Sequence, residues 1–276
     1  MSTSAPTRSY SKFAMQLDRY EAKYIIPRSL VPRIREFIQP FCEPDPHGQG
    51  DPPEYIITTL QLDTPTLSFH HAKENEAVNR FKLRVRTYGE TGGDRVFLEV
   101  KRKINGASVK SRSSVPAAAW GRELLFAPRM EATFSSRKEE GSFLEFRRLA
   151  QLTGARPTVC IRYTRESHFG KNDEYARVTF DRKLQYRPTP HWALSPGVGR
   201  WFSMDSSLVQ NKGLPCSGVV LELKTLSSAP CWMIELVKQF GLVRTGNCKY
   251  STAMGLEALF RGTPTLPGYA SELFAE

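Results

Sequence analysis

Alternating hydrophobic and polar positions, with the period of two that is typical of β-strands, recur along most of the chain. The sequence predicts eight strands, over Arg19–Ile26, Tyr55–Asp63, Asn79–Tyr88, Arg95–Lys103, Ser108–Val115, Thr158–Ser167, Tyr175–Leu184 and Gly218–Leu226. Short turn sequences at Gly89–Gly93 and Asn105-Gly106 join the third strand to the fourth and the fourth to the fifth, which favours antiparallel pairing. The pattern therefore predicts an α+β fold built on an antiparallel sheet.

Apolar residues at helical spacing predict helices between and after these strands. The predicted helices are Leu30–Ile38 after a Ser29 N-cap, Phe143–Leu149 after the capping box Ser142-x-x-Glu145, Met233–Phe240 after Ser228, and a last helix from Ser251 to Gly262. Residues 1–17 are polar and residues 263–276 contain scattered Pro and Gly, so we expect both to be poorly ordered tails. Between them we expect a single domain over residues 18–262.

The polar face of several predicted strands is strongly cationic. In the third strand Arg80, Lys82, Arg84 and Arg86 share one face, and apolar residues occupy the other. Other strands place Arg19, Glu21 and Lys23; Glu99, Lys101 and Lys103; Lys110 and Arg112; Tyr163 and Arg165; Arg177, Thr179 and Asp181; and Glu222 and Lys224 on their polar faces.

Charged residues are also expected on the solvated outer face of an antiparallel sheet, which is a sufficient explanation for any one of these strands. Six strands with basic residues on a common face would repel one another, however, and a bound anion could offset that repulsion. Closing the sheet would bring this face inside and leave the apolar face outward beneath the helices. The sequence therefore predicts a closed barrel with a cationic lumen.

The net charge agrees with an anionic partner. Over 276 residues, 39 lysines and arginines against 28 acidic residues leave a formal charge of +11, which favours a polyanion. A narrow cationic lumen suits a linear polyphosphate better than nucleic acid, which usually binds an open basic surface with aromatic platforms. Neither the loop G-x-x-x-x-G-K-[ST] nor a complete dinucleotide-binding glycine motif is present, so we expect side-chain cations to bind the phosphates.

Carboxylates among these cations leave two interpretations open. They can balance charge, or they can bind a divalent ion that bridges phosphate oxygens. The candidate metal ligands are Glu222, Glu21 and Glu99.

Other classes of protein are excluded by what the sequence lacks. No apolar run approaches the roughly 18 residues of a membrane-spanning helix, and the N-terminus has no apolar secretion segment, so we expect a cytoplasmic protein without a membrane segment of its own. The five cysteines are odd in number, widely spaced and never in C-x-x-C, which argues against a disulfide framework and a zinc site.

A succession of short motifs resembles the VTC domain. The motifs are Arg19-Tyr-Glu-Ala-Lys-Tyr24, Leu62-Asp63-Thr64, Asn79–Tyr88, Phe97–Lys103, Lys110-x-Arg112, Tyr163-x-Arg165, Arg177-x-Thr-x-Asp181, Leu221-Glu-Leu-Lys224 and Lys249-Tyr250. The VTC domain is the catalytic domain of the vacuolar transporter chaperone complex, a polyphosphate polymerase among the triphosphate tunnel metalloenzymes of the CYTH-like superfamily. The resemblance extends from about Arg19 to Arg261.

The resemblance implies an eight-stranded antiparallel β-tunnel, a closed barrel flanked by helices, that transfers the γ-phosphoryl group of ATP onto polyphosphate. It implies a divalent metal, Mn²⁺ or alternatively Mg²⁺, and no nucleic acid partner; any coupling to a membrane would need a separate membrane partner. By similarity the catalytic residues are Lys23, Arg84, Arg86, Lys101, Arg165 and Lys249. The substrate-binding residues are Arg19, Lys82, Lys103, Lys110, Arg112, Tyr163, Arg177 and Lys224. The resemblance assigns the metal to Glu222, and Glu21 and Glu99 are further candidate metal ligands because of their positions among the cations.

Two departures from the family pattern bear on the activity. The superfamily motif Glu-x-Glu-x-Lys reads Arg19-x-Glu21-x-Lys23 here, which counts against a simple triphosphatase, and Cys248 replaces a serine that often precedes the late lysine. Two alternatives stay open. One is a tripolyphosphate or nucleoside-triphosphate hydrolase of the same fold, and the other is a non-catalytic polyanion-binding module.

Overall fold

Ten strands and six α-helices make up the residues that the computed structural model describes, which are 20–105, 107–128, 132–173, 175–194, 199–205, 218–226 and 228–261. The strands are β1 Tyr20–Ile26, β2 Cys42–Pro44, β3 Glu54–Asp63, β4 Arg80–Tyr88, β5 Arg95–Ile104, β6 Ala107–Pro116, β7 Arg156–Gly170, β8 Arg177–Pro188, β9 Phe202–Ser203 and β10 Val219–Thr225. The helices are α1 Leu30–Ile38, α2 Ser68–Glu74, α3 Arg122–Phe126, α4 Arg137–Thr153, α5 Cys231–Gln239 and α6 Lys249–Arg261. A 3₁₀ turn follows β6 at Ala117–Ala119. Arg19 and the predicted tails, 1–17 and 263–276, lie outside the described residues.

One antiparallel sheet contains all the strands. Its main path runs β1-β10-β8-β7-β3-β4-β5-β6, and β2 and β9 add to β7 and β8 beside this path. Each of the eight predicted strands matches one strand of the main path. The α+β class is therefore confirmed.

In the described residues the sheet is an open half-barrel, and the closed barrel predicted from the sequence is not seen there. Its end strands β1 and β6 do not pair with each other within these residues, and another segment contacts each of the two edges. On β1, the carbonyl of Lys23 accepts a hydrogen bond from the backbone N–H of Thr245 (2.8 Å). On β6, the backbone N–H of Ser114 donates to the Glu139 carboxylate of α4 (2.9 Å). These contacts satisfy backbone groups that closure would have used.

The convex face of the sheet is apolar and lies under helices, as the alternation predicts. Beneath α3 and α4, Leu83 and Val85 of β4 and Leu98 of β5 pack with Phe143 and Phe146. Beneath α1 and α5, apolar residues of β1, β8 and β10 form a second core with Ile34 and Leu236. Burial of these side chains supplies most of the driving force that fixes the helices on this face.

Helix α6 packs on the opposite, concave face. Its Tyr250, Ala253 and Met254 form a third core with Ile57 of β3 and Ile161 of β7. Ile57 pairs with Tyr88 and with Tyr163, so this core occupies the same face as the polar residues of β4. The last helix begins two residues before the predicted Ser251 and fills part of the half-barrel.

Helix α4 begins earlier than predicted. Its N-cap is Ser136, whose side chain accepts from the backbone N–H of Glu139 (3.2 Å). Ser142 lies inside the helix, where its hydroxyl donates to the carbonyl of Lys138 (3.0 Å). Ser136 and Glu139 have the same capping-box spacing as Ser142 and Glu145, and the apolar stripe that starts at Phe143 favoured the wrong serine.

Ser29 occupies the N-cap position of α1 without a side-chain hydrogen bond, and α5 begins at Cys231, after Pro230 rather than directly after Ser228. No described helix is long and apolar enough to cross a membrane. Within the described residues, Cys42, Cys160, Cys231 and Cys248 are free thiols.

Candidate functional site

The concave face carries a dense array of charged side chains, which we call the charged groove. Cross-strand pairing places its members on one face: Lys23 is opposite Glu222, Arg84 is opposite Glu99, and Lys101 is opposite Lys110. The cations of the groove are Lys23, Lys82, Arg84, Arg86, Lys101, Lys110, Arg112, Arg165, Lys224 and Lys249, and its carboxylates are Glu21, Glu99, Asp181 and Glu222. The cations outnumber the carboxylates by more than two to one.

Glu21 shows how strongly the sheet curls. One carboxylate oxygen lies 3.1 Å from the ammonium of Lys23 on its own strand, and the other lies 3.6 Å from Lys101 on β5. β1 and β5 are far apart in the strand order, so this contact crosses the groove. Burial raises the pKa of Glu21, but Lys23 and Lys101 lower it more, to about 2. The carboxylate is therefore ionised at neutral pH.

Glu222 on β10 is surrounded by cations from four elements. One of its oxygens lies 3.5 Å from both Lys23 and Lys249, and the other lies 2.9 Å from Lys224 and 3.5 Å from Arg165. The side chain is nearly inaccessible to solvent. Burial alone would raise its pKa, yet these cations hold the pKa well below the ordinary value.

Asp181 on β8 forms closer ion pairs than Glu222 does. Its oxygens accept from the guanidinium of Arg165 at 2.6 and 2.7 Å and from the ammonium of Lys249 at 2.6 Å. Both cations also lie over the ring of Tyr163, at 5.4 and 4.8 Å from its centroid. Burial raises the pKa of Asp181, but the two cations reverse the effect and lower it.

Glu99 on β5 is the centre of a second cluster, toward the other edge of the sheet. Its oxygens lie 2.6 Å from Arg84, 2.5 Å from Lys110, 3.5 Å from Arg112 and 3.9 Å from Arg86. The glutamate is fully buried, and its pKa is lowered because these cations outweigh the cost of burial. Burial lowers the pKa of Lys110 to about 8, although Glu99 opposes the change.

The segment that enters α6 crosses the groove. The carbonyl of Asn247 accepts from Lys23 on β1 (3.1 Å), and the sulfur of Cys248 accepts from Lys82 on β4 (2.7 Å). Burial alone would raise the pKa of the Cys248 thiol, but the ammonium of Lys82 outweighs this effect and lowers the pKa to about 6. The cysteine that replaces a serine is thus ionised at neutral pH and pairs with Lys82.

A buried carboxylate fixes the start of α6. Asp63, at the end of β3, accepts from the backbone N–H groups of Phe69 and His70 (2.9 Å each) and from the hydroxyl of Tyr250 (2.6 Å). The same oxygens therefore cap α2 and anchor the residue next to Lys249. Sequence reasoning included Asp63 only as part of a motif, because no spacing links it to Tyr250.

The predicted site residues are not all brought together. Arg19 lies outside the described residues. Arg177 is at the far end of β8, where its guanidinium lies 4.0 Å from the centroid of the Phe169 ring, and Lys103 lies beyond Lys101 on β5. No ion pair joins either to a groove carboxylate in the described part of the chain. Asp181, which was placed on the polar face without a role, belongs to the centre of the groove.

The carboxylates fit a divalent metal only in part. Glu21 and Glu222 lie on neighbouring strands and share Lys23, so both can approach one cation. Among the described residues, none of the cations that contact Glu99 also contacts a second carboxylate. Within the described residues no group of three or more His, Cys, Asp or Glu is arranged to bind a metal. Two carboxylates suffice for Mg²⁺ or Mn²⁺ when phosphate oxygens supply further ligands. We therefore retain Glu21 and Glu222 as the candidate pair.

Comparison with known proteins identifies a family over most of the chain. A family model of the VTC domain matches residues 18–257. No curated protein matches the chain. Among solved structures, it is similar to the PH1819 protein from Pyrococcus horikoshii OT3, at 12% identity and a TM-score of 0.42, over 88% of this chain and 99% of the other. A TM-score of 0.42 does not establish that the two proteins share a fold.

Proposed function

The chain belongs to the VTC domain family, and from this premise we propose that it is a polyphosphate polymerase that uses ATP. It would transfer the γ-phosphoryl group onto the terminal phosphate of a chain bound in the charged groove. The observation that carries the proposal is the groove itself, where cations from six strands and α6 surround three buried carboxylates and the half-buried Glu21. Phosphate oxygens are the natural partners for such a concentration of ammonium and guanidinium groups.

The internal ion pairs are consistent with a site that exchanges partners. Glu99 contacts Arg84, Lys110 and Arg112 and offsets part of their charge. A bound triphosphate would take over these contacts and add its own negative charge, which the excess of cations accommodates. The carboxylates would thus serve as internal counter-ions that reduce repulsion between the cations of the groove.

The reaction needs no protein nucleophile. A terminal oxygen of the acceptor chain forms a bond to the γ-phosphorus, the bond from that phosphorus to the β,γ-bridging oxygen breaks, and ADP leaves with the electron pair. The transition state spreads negative charge over the equatorial oxygens, so positioned cations lower the barrier. We assign this role to Arg84, Arg86 and Lys110 around one end of the triphosphate and to Arg165 and Lys249 around the other.

Glu21 and Glu222 are the residues that would bind a divalent cation, Mn²⁺ or Mg²⁺. Both are ionised at neutral pH because neighbouring cations lower their pKa values. A metal held there would supply Lewis-acid chemistry that neutralises part of the phosphate charge. Lys23, which contacts both carboxylates, would balance their charge in its absence.

Incubation with ATP and Mn²⁺, followed by gel separation of the products, tests the proposal. We expect long-chain polyphosphate and ADP from the wild-type protein. Replacement of Arg84 and Arg86 together by Ala should abolish synthesis, whereas Arg102→Ala is a matched control, since Arg102 lies on the opposite face of β5 and pairs with Glu145 (2.7 Å).

Other products would favour the alternatives. Orthophosphate as the only product would indicate a hydrolase of the same fold. Salt-sensitive binding of polyphosphate without turnover would indicate a binding module. Full activity of the double variant would refute the assignment of the groove as the active site.

A further inference from the structure

One end of the charged groove is aromatic. Tyr55 on β3, Tyr88 on β4 and Phe97 on β5 form an arc, with ring centroids 6.0 and 5.5 Å apart. The strand register places them on the groove face, because Tyr55 is opposite Arg165 and Phe97 is opposite Arg86. All three rings are half-buried, so part of each remains accessible. We call these residues the aromatic arc.

The opposite end of the same strands is basic. Along β4 and β5, the pairs that face the groove run from Arg86 and Phe97, through Arg84 and Glu99, to Lys82 and Lys101. The groove therefore has two chemically different ends. A polyphosphate chain is uniform along its length and has no planar group that could stack on aromatic rings. A nucleoside triphosphate combines a planar base with a charged tail.

Arg112 joins the aromatic arc to the phosphate-binding cations. Its guanidinium lies 3.9 Å from the centroid of the Phe97 ring, and one nitrogen donates to the hydroxyl of Tyr88 (3.1 Å). A second nitrogen lies 3.5 Å from Glu99, the centre of the neighbouring cation cluster. A ligand that spans Arg112 would contact both regions.

A cavity of about 280 Å³ adjoins the aromatic arc between β6 and the start of α4. Phe97 and Arg112 form one side, and the remaining lining residues include Ser113, Ser114, Ser135 and Glu139. The hydroxyls of Ser114 and Ser135 donate to the Glu139 carboxylate (2.7 and 2.5 Å). The aromatic arc therefore provides the surface on which a base can stack.

We propose that the aromatic arc and this cavity bind the base and ribose of the nucleotide, with the triphosphate directed past Arg112 into the charged groove. The inference rests on the proposed function and adds a direction to it. Stacking of the base on the aromatic arc would select a nucleoside triphosphate over inorganic tripolyphosphate. The acceptor chain would then approach from the basic end, near Lys82 and Lys101.

Binding of ATP and of tripolyphosphate, measured by calorimetry in EDTA so that turnover does not interfere, tests this inference. Stacking of a base on an aromatic ring contributes about 1–3 kcal/mol to binding, so Phe97→Leu should lower the affinity for ATP on the order of tenfold. The affinity for tripolyphosphate should change by less than about twofold, since that ligand has no base to stack. Phe97→Trp should restore ATP binding, because it replaces the ring, and circular dichroism would check that both variants fold.

The outcomes separate the inference from the proposed function. If Phe97→Leu weakens the binding of ATP and of tripolyphosphate equally, or changes neither affinity, the nucleoside does not bind at the aromatic arc, although the groove remains a phosphate site. If the wild-type protein binds neither ligand, in EDTA or with Mn²⁺ present, the proposed function itself fails.

Discussion

Replacement of Glu99 by Gln tests the role of the groove carboxylates as internal counter-ions. The glutamate is fully buried, with Arg84 and Lys110 at 2.6 and 2.5 Å and Arg112 at 3.5 Å. The glutamine keeps the shape but removes the charge, so these cations would face one another without compensation. Removing one partner of a buried ion pair costs about 3–5 kcal/mol. For a domain of this size that corresponds to a fall in Tm on the order of 10 °C.

Glu145→Gln is the matched control. Glu145 pairs with Arg102 at 2.7 Å on the outer face, where its side chain is 35% exposed. Ion pairs that solvent reaches contribute about 1 kcal/mol or less, so this variant should melt close to the wild-type protein. Differential scanning calorimetry of both variants, with and without tripolyphosphate, provides the assay.

Added tripolyphosphate should raise the Tm of Glu99→Gln more than that of the wild-type protein, because the ligand replaces the missing negative charge. Equal losses in the two variants, or equal stabilisation of all three proteins by tripolyphosphate, would refute the counter-ion argument. A metal-ligand role for Glu99 would instead predict loss of activity with little change in ligand-induced stabilisation.

Three further predictions concern single residues. Because burial lowers the pKa of Lys110 to about 8, half of the ammonium is already deprotonated at pH 8, and tripolyphosphate affinity should fall by up to about fivefold between pH 8 and pH 9. Calorimetry of Lys110→Arg should show an affinity that does not change over this range; parallel pH profiles of the two proteins would contradict the assignment. Ser136→Ala should cost about 1 kcal/mol in urea unfolding through loss of the N-cap, and Ser142→Ala close to nothing; the reverse order would restore the predicted cap. Asp63→Asn and Tyr250→Phe should each lower the free energy of unfolding by about 1–3 kcal/mol. The double variant should lose less than the sum of the two, since both substitutions remove the same hydrogen bond between Asp63 and Tyr250; additive losses would show that the two residues act independently.

The strands and the composition of the groove could be predicted from the sequence, because both depend on local alternation. Successive side chains of a strand point to opposite faces, so Arg84 and Arg86 share a face wherever β4 lies in the sheet. The same argument placed Glu222 and Lys224 together. Neither deduction needs the partner strands to be known.

Closure of the sheet could not be predicted in this way. It depends on what reaches the edges of β1 and β6, and those contacts come from Thr245 and Glu139, which are distant in sequence. The N-cap of α4 was wrongly predicted at Ser142 for a related reason. Two serines had suitable spacing, and only the packing of α4 against β6 distinguishes them.

The partners of the carboxylates also depend on long-range geometry. Alternation placed Glu99 and Glu21 alike among the metal candidates, and the curl of the sheet then brings Glu21 and Glu222 together around Lys23 and places Glu99 in a separate cluster. Asp181 acquires its position between Arg165 and Lys249 because α6 folds back onto the concave face. Sequence spacing does not show that α6 packs on the concave face.

The destination of the γ-phosphate tests the central claim most directly. Wild-type protein would be incubated with ATP labelled at the γ-phosphate, a polyphosphate primer and Mn²⁺, and ADP, labelled polyphosphate and labelled orthophosphate would be quantified over time. We predict that each ADP released is matched by a labelled phosphate in the polyphosphate chain. Label that instead accumulates as orthophosphate in proportion to ADP would contradict the proposal that the charged groove synthesises polyphosphate.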